Sequence, residues 1–288
     1  MRLCTVGMLF VSAALAAAAC GSTTEPGYGG GDFATSLTSS GRVRTYRIHV
    51  PPTITPEQVV PLVIVLHGAG QDANDIRVLS GFDTVADERG VLVVYLDKAK
   101  DNTPTWTYYG FPGSNGFDDV QFVVDVIDAM AATFTIDRDR VYAAGFSNGG
   151  LFTLQLGCQL RGRLAAVASV AASLSLVTRQ LCTSETVIPA VFVHGTADEA
   201  FPWAGTPDFM AVEEMWRLWA DLSGCSSGPT VTDVVSQSPT VRRHDYAVCA
   251  RSDRISLYAI EGGGHAWPSS IDFAASEVMM DFFEGISR

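Results

Sequence analysis

The sequence predicts an α/β fold, with a mainly parallel central sheet and helices on both faces. Three observations carry this. Short unbroken apolar runs recur along the chain, as in Pro61–His67 (PLVIVLH) and Val187–His194 (VIPAVFVH), and such runs suit strands buried on both sides. Stretches with helical periodicity alternate with them. No internal repeat and no linker interrupts the pattern after residue 42, so residues 43–288 read as one domain.

In chain order, Val43–Val50 alternates as a strand and Pro61–His67 is a buried strand. A helix is expected over Asp75–Arg89 and a buried strand over Val91–Leu96. Residues 97–117 form a long loop rich in glycine and aromatics, and loops of that length inside a domain usually serve function. Asp118–Phe134 is an amphipathic helix with Val120, Val123, Val124, Ile127 and Met130 on one face, and Asp118 or Asp119 stands where a helix start favours an acid. Strands follow at Arg140–Ala144, Ala165–Val170, Val187–His194 and Ile255–Ile260. Helices are expected at Asn148–Leu160, Ala211–Leu222 and Phe273–Gly285. Trp216 and Trp219, three apart on a helix, read as core. About 16 residues separate Val170 from Val187, too few for a large lid domain there.

Composition narrows the function. The hydrophobic fraction of 47% and charged fraction of 17% are those of a globular chain. Nineteen basic against 31 acidic residues give a net charge of −12, with no basic cluster and only Lys98 and Lys100 as lysines, which excludes nucleic acid as an expected partner.

Leu3–Ala19 is an apolar, alanine-rich segment after Arg2, shorter than the roughly 20 residues a membrane span needs. It reads as a cleaved export signal over residues 1–19. Cys20-Gly21-Ser22 then resembles a lipoprotein cleavage site with Cys20 lipidated, although Ala17 stands where leucine is usual. A plain secretory cleavage around Ala17–Ala19 is the alternative. Residues 20–42 read as a flexible tether. Any membrane contact would be through that lipid anchor alone. Beyond Cys4 and Cys20, Cys158, Cys182, Cys225 and Cys249 remain, an even number suited to an oxidising compartment. Three connectivities are open; sequential pairing closes two similar loops and is preferred. The five histidines and the cysteines show no zinc-ligand spacing, so no metal and no cofactor is expected.

The chemistry centres on Gly145-Phe146-Ser147-Asn148-Gly149-Gly150, a GxSxG sequence between the apolar run Val141–Ala144 and a helical segment. That context makes it a nucleophile elbow, with small residues letting the chains approach at Gly145 and Gly149. A serine hydroxyl needs a base. His265, in a loop with three glycines after the strand Ile255–Ile260, is the candidate; His244 is the rival but sits among charges and reads as solvated. The candidate acid is Asp198, at the carboxyl end of a strand, with Glu199, Asp208 and Asp253 open. The oxyanion donors would be the N–H of Asn148 and one from the loop His67–Gln71, first Ala69 and then Gly70. His67 and His194 read as structural. Aromatics near these loops (Trp106, Tyr108, Tyr109, Phe201, Trp203, Trp267) suggest an apolar or ring-accepting cleft, with Trp106, Trp203 and Trp267 as candidate substrate contacts.

HGAGQ at 67–71, GFSNGG at 145–150, HGTAD at 194–198 and GGGHAWP at 262–268 together resemble the polyhydroxybutyrate depolymerase-like esterases, close to feruloyl and acetylxylan esterases. The segment WTYYGFPGSNGFDDVQFV at 106–123 also fits. The resemblance covers roughly residues 40–286. It implies an α/β-hydrolase with Ser147 as nucleophile, Asp198 as acid and His265 as base, and it supports the two sequential disulfides. The expectation is a secreted, monomeric serine esterase acting on soluble oligomers or small esters. The rivals are a carbohydrate esterase for feruloyl or acetyl groups, a peptidase, and a non-catalytic cell-surface binding lipoprotein.

Overall fold

The computed structural model describes residues 26–99, 105–107, 117–237, 239–250 and 254–288. The expected signal segment, Cys20, Tyr108, Tyr109 and Asp253 lie outside these residues.

Ten strands form one sheet: β1 (Gly31–Ser39), β2 (Arg42–Val50), β3 (Val60–Leu66), β4 (Leu92–Leu96), β5 (Ile136–Phe146), β6 (Ala166–Val170), β7 (Ala190–Gly195), β8 (Thr230–Val235), β9 (Val241–Tyr246) and β10 (Ile255–Ile260). Their order is β1-β2-β4-β3-β5-β6-β7-β10-β9-β8. The six central strands, β4 to β10, are parallel, and the pairs at both ends are antiparallel. The expected mainly parallel sheet is therefore present. The helices are α1 (Ala73–Ser80), α2 (Phe82–Arg89), α3 (Asp119–Thr133), α4 (Asn148–Gln159), α5 (Val212–Leu222) and α6 (Ala275–Glu284).

The unbroken apolar runs have a direct cause. In β3, Leu62, Ile64 and Leu66 enter the core under α3, α4 and α5, while Val63 and Val65 enter the opposite core under α1, α2 and α6. Both pleat faces are buried, so no polar alternation appears. Trp216 and Trp219 are core residues, 2% and 0% exposed.

Several elements depart from expectation. The single helix over Asp75–Arg89 is two, divided at Gly81 in the left-handed conformation (φ 60°). Asp72 caps α1 through the Asn74 and Asp75 amides, while the Asp75 side chain accepts from the Asp72 amide. Asp118 caps α3 through the Gln121 amide, and the buried face of α3 is Phe122, Val123, Val126, Ile127 and Met130, so Val120 and Val124 stand outside it. The tether expected over 20–42 is cut short, because β1 pairs with β2 from Gly31 to Ser39. That strand is polar and largely exposed, and β8 and β9, also unforeseen, are an exposed edge strand and the charged strand next to it. Pairing defines them rather than burial, so their sequences lack an apolar signature. Both preferred disulfides, Cys158–Cys182 and Cys225–Cys249, are formed. Among the described residues no helix is long and apolar enough to cross a membrane.

A buried histidine fastens the β1–β2 hairpin to α1 and α2. His49 Nδ1 lies 2.8 Å from Asp32 Oδ1 and Nε2 lies 3.1 Å from Asp87 Oδ1; Asp83 is 3.7 Å away, and Arg77 pairs with both Asp32 and Asp83. Burial of the ring opposes its charge, but the hydrogen bonds to Asp32 and Asp87 and the charges of Asp83 and Asp87 outweigh this and raise its pKa. An unfolded histidine titrates near 6.5. The stabilisation from His49 is therefore complete below about pH 6.5 and is lost as pH rises through the higher folded value. His49→Gln is expected to lower the urea midpoint markedly at pH 5.5 and less at pH 8.5. An equal gap at both pH values would contradict this account.

Candidate active site

The parallel strands end flush. Leu66 pairs with Gly145, Phe146 with Val170 and Ile260 with Gly195, so the loops after β3, β5, β6, β7 and β10 share one edge. From β3 the chain moves to β4 on one side and to β5 on the other. That reversal is the place where open α/β sheets hold their ligands. His67 and Ser147 flank it.

Ser147 occupies a strained turn (φ 53°, ψ −120°), with its N–H on the Val170 carbonyl (2.9 Å) and its carbonyl accepting from Leu151 (3.0 Å). Gly145 and Gly149 make the turn possible. A Cβ on Gly145 would collide with the Gly149 carbonyl, and one on Gly149 with the Leu66 and His67 carbonyls. The sequence expectation of close chain approach at these two positions is thus met by named backbone atoms.

His265 Nε2 lies 2.9 Å from Ser147 Oγ, and His265 Nδ1 lies 2.9 Å from Asp198 Oδ2. Asp198 is 3% exposed, and its Oδ1 accepts from the amides of Ala200 and Phe201, both at 2.9 Å. One carboxylate oxygen is held by the main chain and the other is left for the imidazole. The tautomer follows: Nδ1–H donates to Asp198, and bare Nε2 accepts from the serine. Gly195 lets the two loops meet, since a Cβ there would strike the Gly263 carbonyl, and Ala197 N–H bonds that carbonyl at 2.9 Å.

The other histidines have different duties. His67 Nδ1 donates to the Gly68 carbonyl (2.7 Å) and Nε2 accepts from Lys98 N–H (3.2 Å). Burial lowers its pKa, so it is neutral and fixes the loop. His194 Nε2 meets the Phe201 carbonyl at 2.8 Å and stands 3.7 Å from Asp198; burial lowers its pKa too. His244, expected to be solvated, is instead half-buried with its ring 5.6 Å from Trp216, because β9 lays it against α5.

The Asn148 N–H adjoins the serine in the chain, and the His67–Gln71 loop lies against it, since a Cβ on Gly68 would come within 3.3 Å of the Ser147 Cβ. Asn148 opens α4, and the first N–H groups of a helix have no partner inside it. In the other loop the Gly68 N–H is taken by Gln71 Oε1 (2.8 Å). Its carbonyl is taken by His67 Nδ1 and by the Gln71 N–H (3.3 Å). The next amide, Ala69, therefore hangs on a peptide whose carbonyl is already fixed, and Ala69 itself is exposed.

The tryptophans do not form the expected platform. Trp106 is 0% exposed, stacked on Phe152 (5.4 Å, 8° between planes), and Trp267 is 3% exposed against Phe82 and Phe146. Trp203 is half-buried and packs on the core and the His194 ring. An indole brings a large apolar area, and the core takes it. Among the described residues, the rings against His265 are Phe146 (5.0 Å) and Phe201 (5.9 Å), and Phe201 continues onto Phe209, Leu151 and Ala172. Sequence reading also missed the buried pair Arg44–Asp119 (2.6 Å), whose second carboxylate oxygen accepts the Thr107 N–H (2.7 Å). Nothing local marks that pair, because 75 residues separate its members.

A mainly parallel sheet with a strained serine turn at its carboxyl edge defines an α/β-hydrolase. Residues 44–177 match the family model described as esterase PHB depolymerase, a span that contains both the His67 loop and the serine turn. The chain is 29% identical over 234 residues to the bifunctional acetylxylan esterase/xylanase XynS20E of Neocallimastix patriciarum, covering 81% of this chain and 32% of that protein. It is 28% identical over 230 residues to feruloyl esterase B of Piromyces equi, covering 76% of this chain and 42% of that protein. The chain thus spans less than half the length of these two relatives. Among solved structures it is similar to the acetyl xylan esterase from Aspergillus awamori, with a TM-score of 0.66, 13% identity, and 87% of this chain and 98% of that one covered. The chain has the α/β-hydrolase fold, and its likeness to these esterases supports hydrolysis of carboxylic esters.

Proposed function

We propose that this protein is a serine esterase in which Ser147, His265 and Asp198 act as a triad. The observation that carries this is the unbroken line from Ser147 Oγ to His265 Nε2 and from Nδ1 to Asp198 Oδ2, each contact 2.9 Å. His265 takes the Ser147 proton as Oγ attacks the ester carbonyl carbon. The carbonyl oxygen, now negative, is received by the N–H groups of Asn148 and Ala69. Asp198 stabilises the imidazolium. His265 then gives its proton to the leaving alcohol, which departs from the acyl-serine. Water, deprotonated by His265, releases the acid and restores Ser147. The same contacts argue against a silent binding lipoprotein, which has no use for a strained serine aligned on a base.

The substrates we assign are soluble hydroxyalkanoate oligomers or small esters, in keeping with the family model over 44–177. A second reading, removal of feruloyl or acetyl groups from polysaccharide, is favoured by the names of the two fungal relatives. Residues 1–19 are proposed as an export signal and Cys20 as a lipid attachment point. The two disulfides fit a chain that folds in an oxidising compartment.

The test is a panel of initial rates on 3-hydroxybutyrate oligomers, methyl ferulate, acetylated xylo-oligosaccharide and p-nitrophenyl butyrate. The hydroxybutyrate oligomers are expected to give the highest kcat/KM. A preference for ferulate or acetyl-xylan would move the protein to the carbohydrate esterases. No turnover of any ester, with no fluorophosphonate label on Ser147, would remove the esterase reading.

A further inference from the structure

We infer that Trp106 is a positioning residue that clamps the two halves of the oxyanion hole together, an inference that rests on the esterase reading above. The two donors come from elements that the chain reaches separately. Asn148 begins α4, and Ala69 lies in the loop after β3. Trp106 bonds to both sides. Its main-chain N–H donates to Asn148 Oδ1 at 2.7 Å, and its indole Nε1–H donates to the His67 carbonyl at 2.9 Å.

The second bond matters because of the peptide it grips. The His67 carbonyl and the Gly68 N–H are two ends of one peptide plane. Trp106 holds the oxygen and Gln71 Oε1 holds the N–H. The following peptide has its Gly68 oxygen on the His67 ring and presents the Ala69 N–H. The direction of that donor is therefore set two bonds upstream, with Trp106 on the His67 carbonyl and the Lys98 N–H on the His67 ring as anchors from outside the loop's own residues. The indole is itself immobilised, stacked on Phe152 of α4 and 4.9 Å from the His67 ring. Its segment is tied down by Thr107 N–H on Asp119, which Arg44 holds. An oxyanion hole works by having its donors already aimed where charge develops, so a clamp across both donors acts on the transition state and not on ground-state binding.

Trp106→Phe keeps a ring in the core and removes the indole N–H together with part of the ring volume, a loss that the matched control shares. With p-nitrophenyl butyrate, kcat is expected to fall by about tenfold to a hundredfold, less than the loss of a whole donor. KM should stay within about twofold, and inhibition by a trifluoromethyl ketone, which forms a tetrahedral adduct, should weaken by the same factor as kcat. The matched control is Trp219→Phe in α5, which loses a chemically equal bond, indole N–H to the Ile188 carbonyl at 2.8 Å. It should leave kcat within about twofold, even where both variants lose similar stability. A Trp106→Phe enzyme whose kcat matches that of Trp219→Phe would overturn the inference. So would a loss confined to KM. Should Trp106→Phe fail to fold, Asn148→Ala carries the same expectation, since it keeps the indole and the residue-148 N–H and removes only the side-chain acceptor. Full activity in Ser147→Ala would instead strike at the esterase reading itself, a result separable from either.

Discussion

Replacing Ser147 with alanine is expected to lower kcat for ester hydrolysis by about four to six orders of magnitude, the scale at which a triad nucleophile is lost. The deleted atom is the oxygen that stands 2.9 Å from His265 Nε2, and no second hydroxyl takes its place in the line to Asp198 among the contacts of His265. Alanine keeps the Cβ that serine already carries at φ 53°, so backbone strain in the turn is unchanged. The melting temperature should accordingly move by only a few degrees, and any activity loss cannot be assigned to unfolding. A fluorophosphonate probe should label the parent enzyme and leave the variant unlabelled. A loss of less than about tenfold, with labelling intact, would take Ser147 out of the mechanism.

The second large effect is on stability. Gly149→Ala should lower the unfolding free energy by roughly 2–4 kcal/mol or prevent folding, although Gly149 lies in a helix, where alanine is favoured by about 1 kcal/mol. The steric term decides the sign. The added Cβ would meet two backbone carbonyls, those of Leu66 and His67, which are held in the β3 end and in the oxyanion loop and cannot swing aside as a side chain would. Gly162→Ala is the control: a Cβ there meets nothing within 4 Å. Urea midpoints of the two variants measure the difference. A Gly149→Ala protein as stable as its parent would mean that α4 and β3 do not approach so closely.

Much of this protein is legible before any coordinate is seen. Unbroken runs such as Leu62–Leu66 announce strands covered on both faces, because such a strand has no side left for polar residues. Ser147 and His265 are each marked by local sequence: a glycine-flanked turn between strand and helix, and a glycine-rich loop after a buried strand. Asp198 is placed by its position at a strand end. The outer strands β1, β8 and, next to that edge, β9 escape such reading, because only hydrogen bonding to a neighbour distinguishes them from loops.

The roles of the tryptophans were equally out of reach. Sequence proximity puts Trp106, Trp203 and Trp267 on loops near the catalytic edge, which suggests contact with substrate. Whether a ring on such a loop turns outward or inward depends on what lies beneath it. Beneath Trp106 lie Phe152 and the His67 carbonyl, and beneath Trp267 lie Phe82, Phe146 and the Ser276 hydroxyl that accepts its indole N–H at 3.2 Å. A buried indole satisfies both its area and its donor there, so the rings turn inward.

The sequence by itself determined the layered architecture and the glycine-flanked serine turn, and it put forward Ser147, His265 and, first among several acids, Asp198, since these rest on residue type and local context. Only the tertiary structure decided what joins distant segments. It set Arg44 against Asp119, His49 among Asp32, Asp83 and Asp87, and Trp106 between the Asn148 side chain and the His67 carbonyl. Those contacts span tens of residues, and a partner at that range is chosen by the packing of whole elements, which no local pattern encodes.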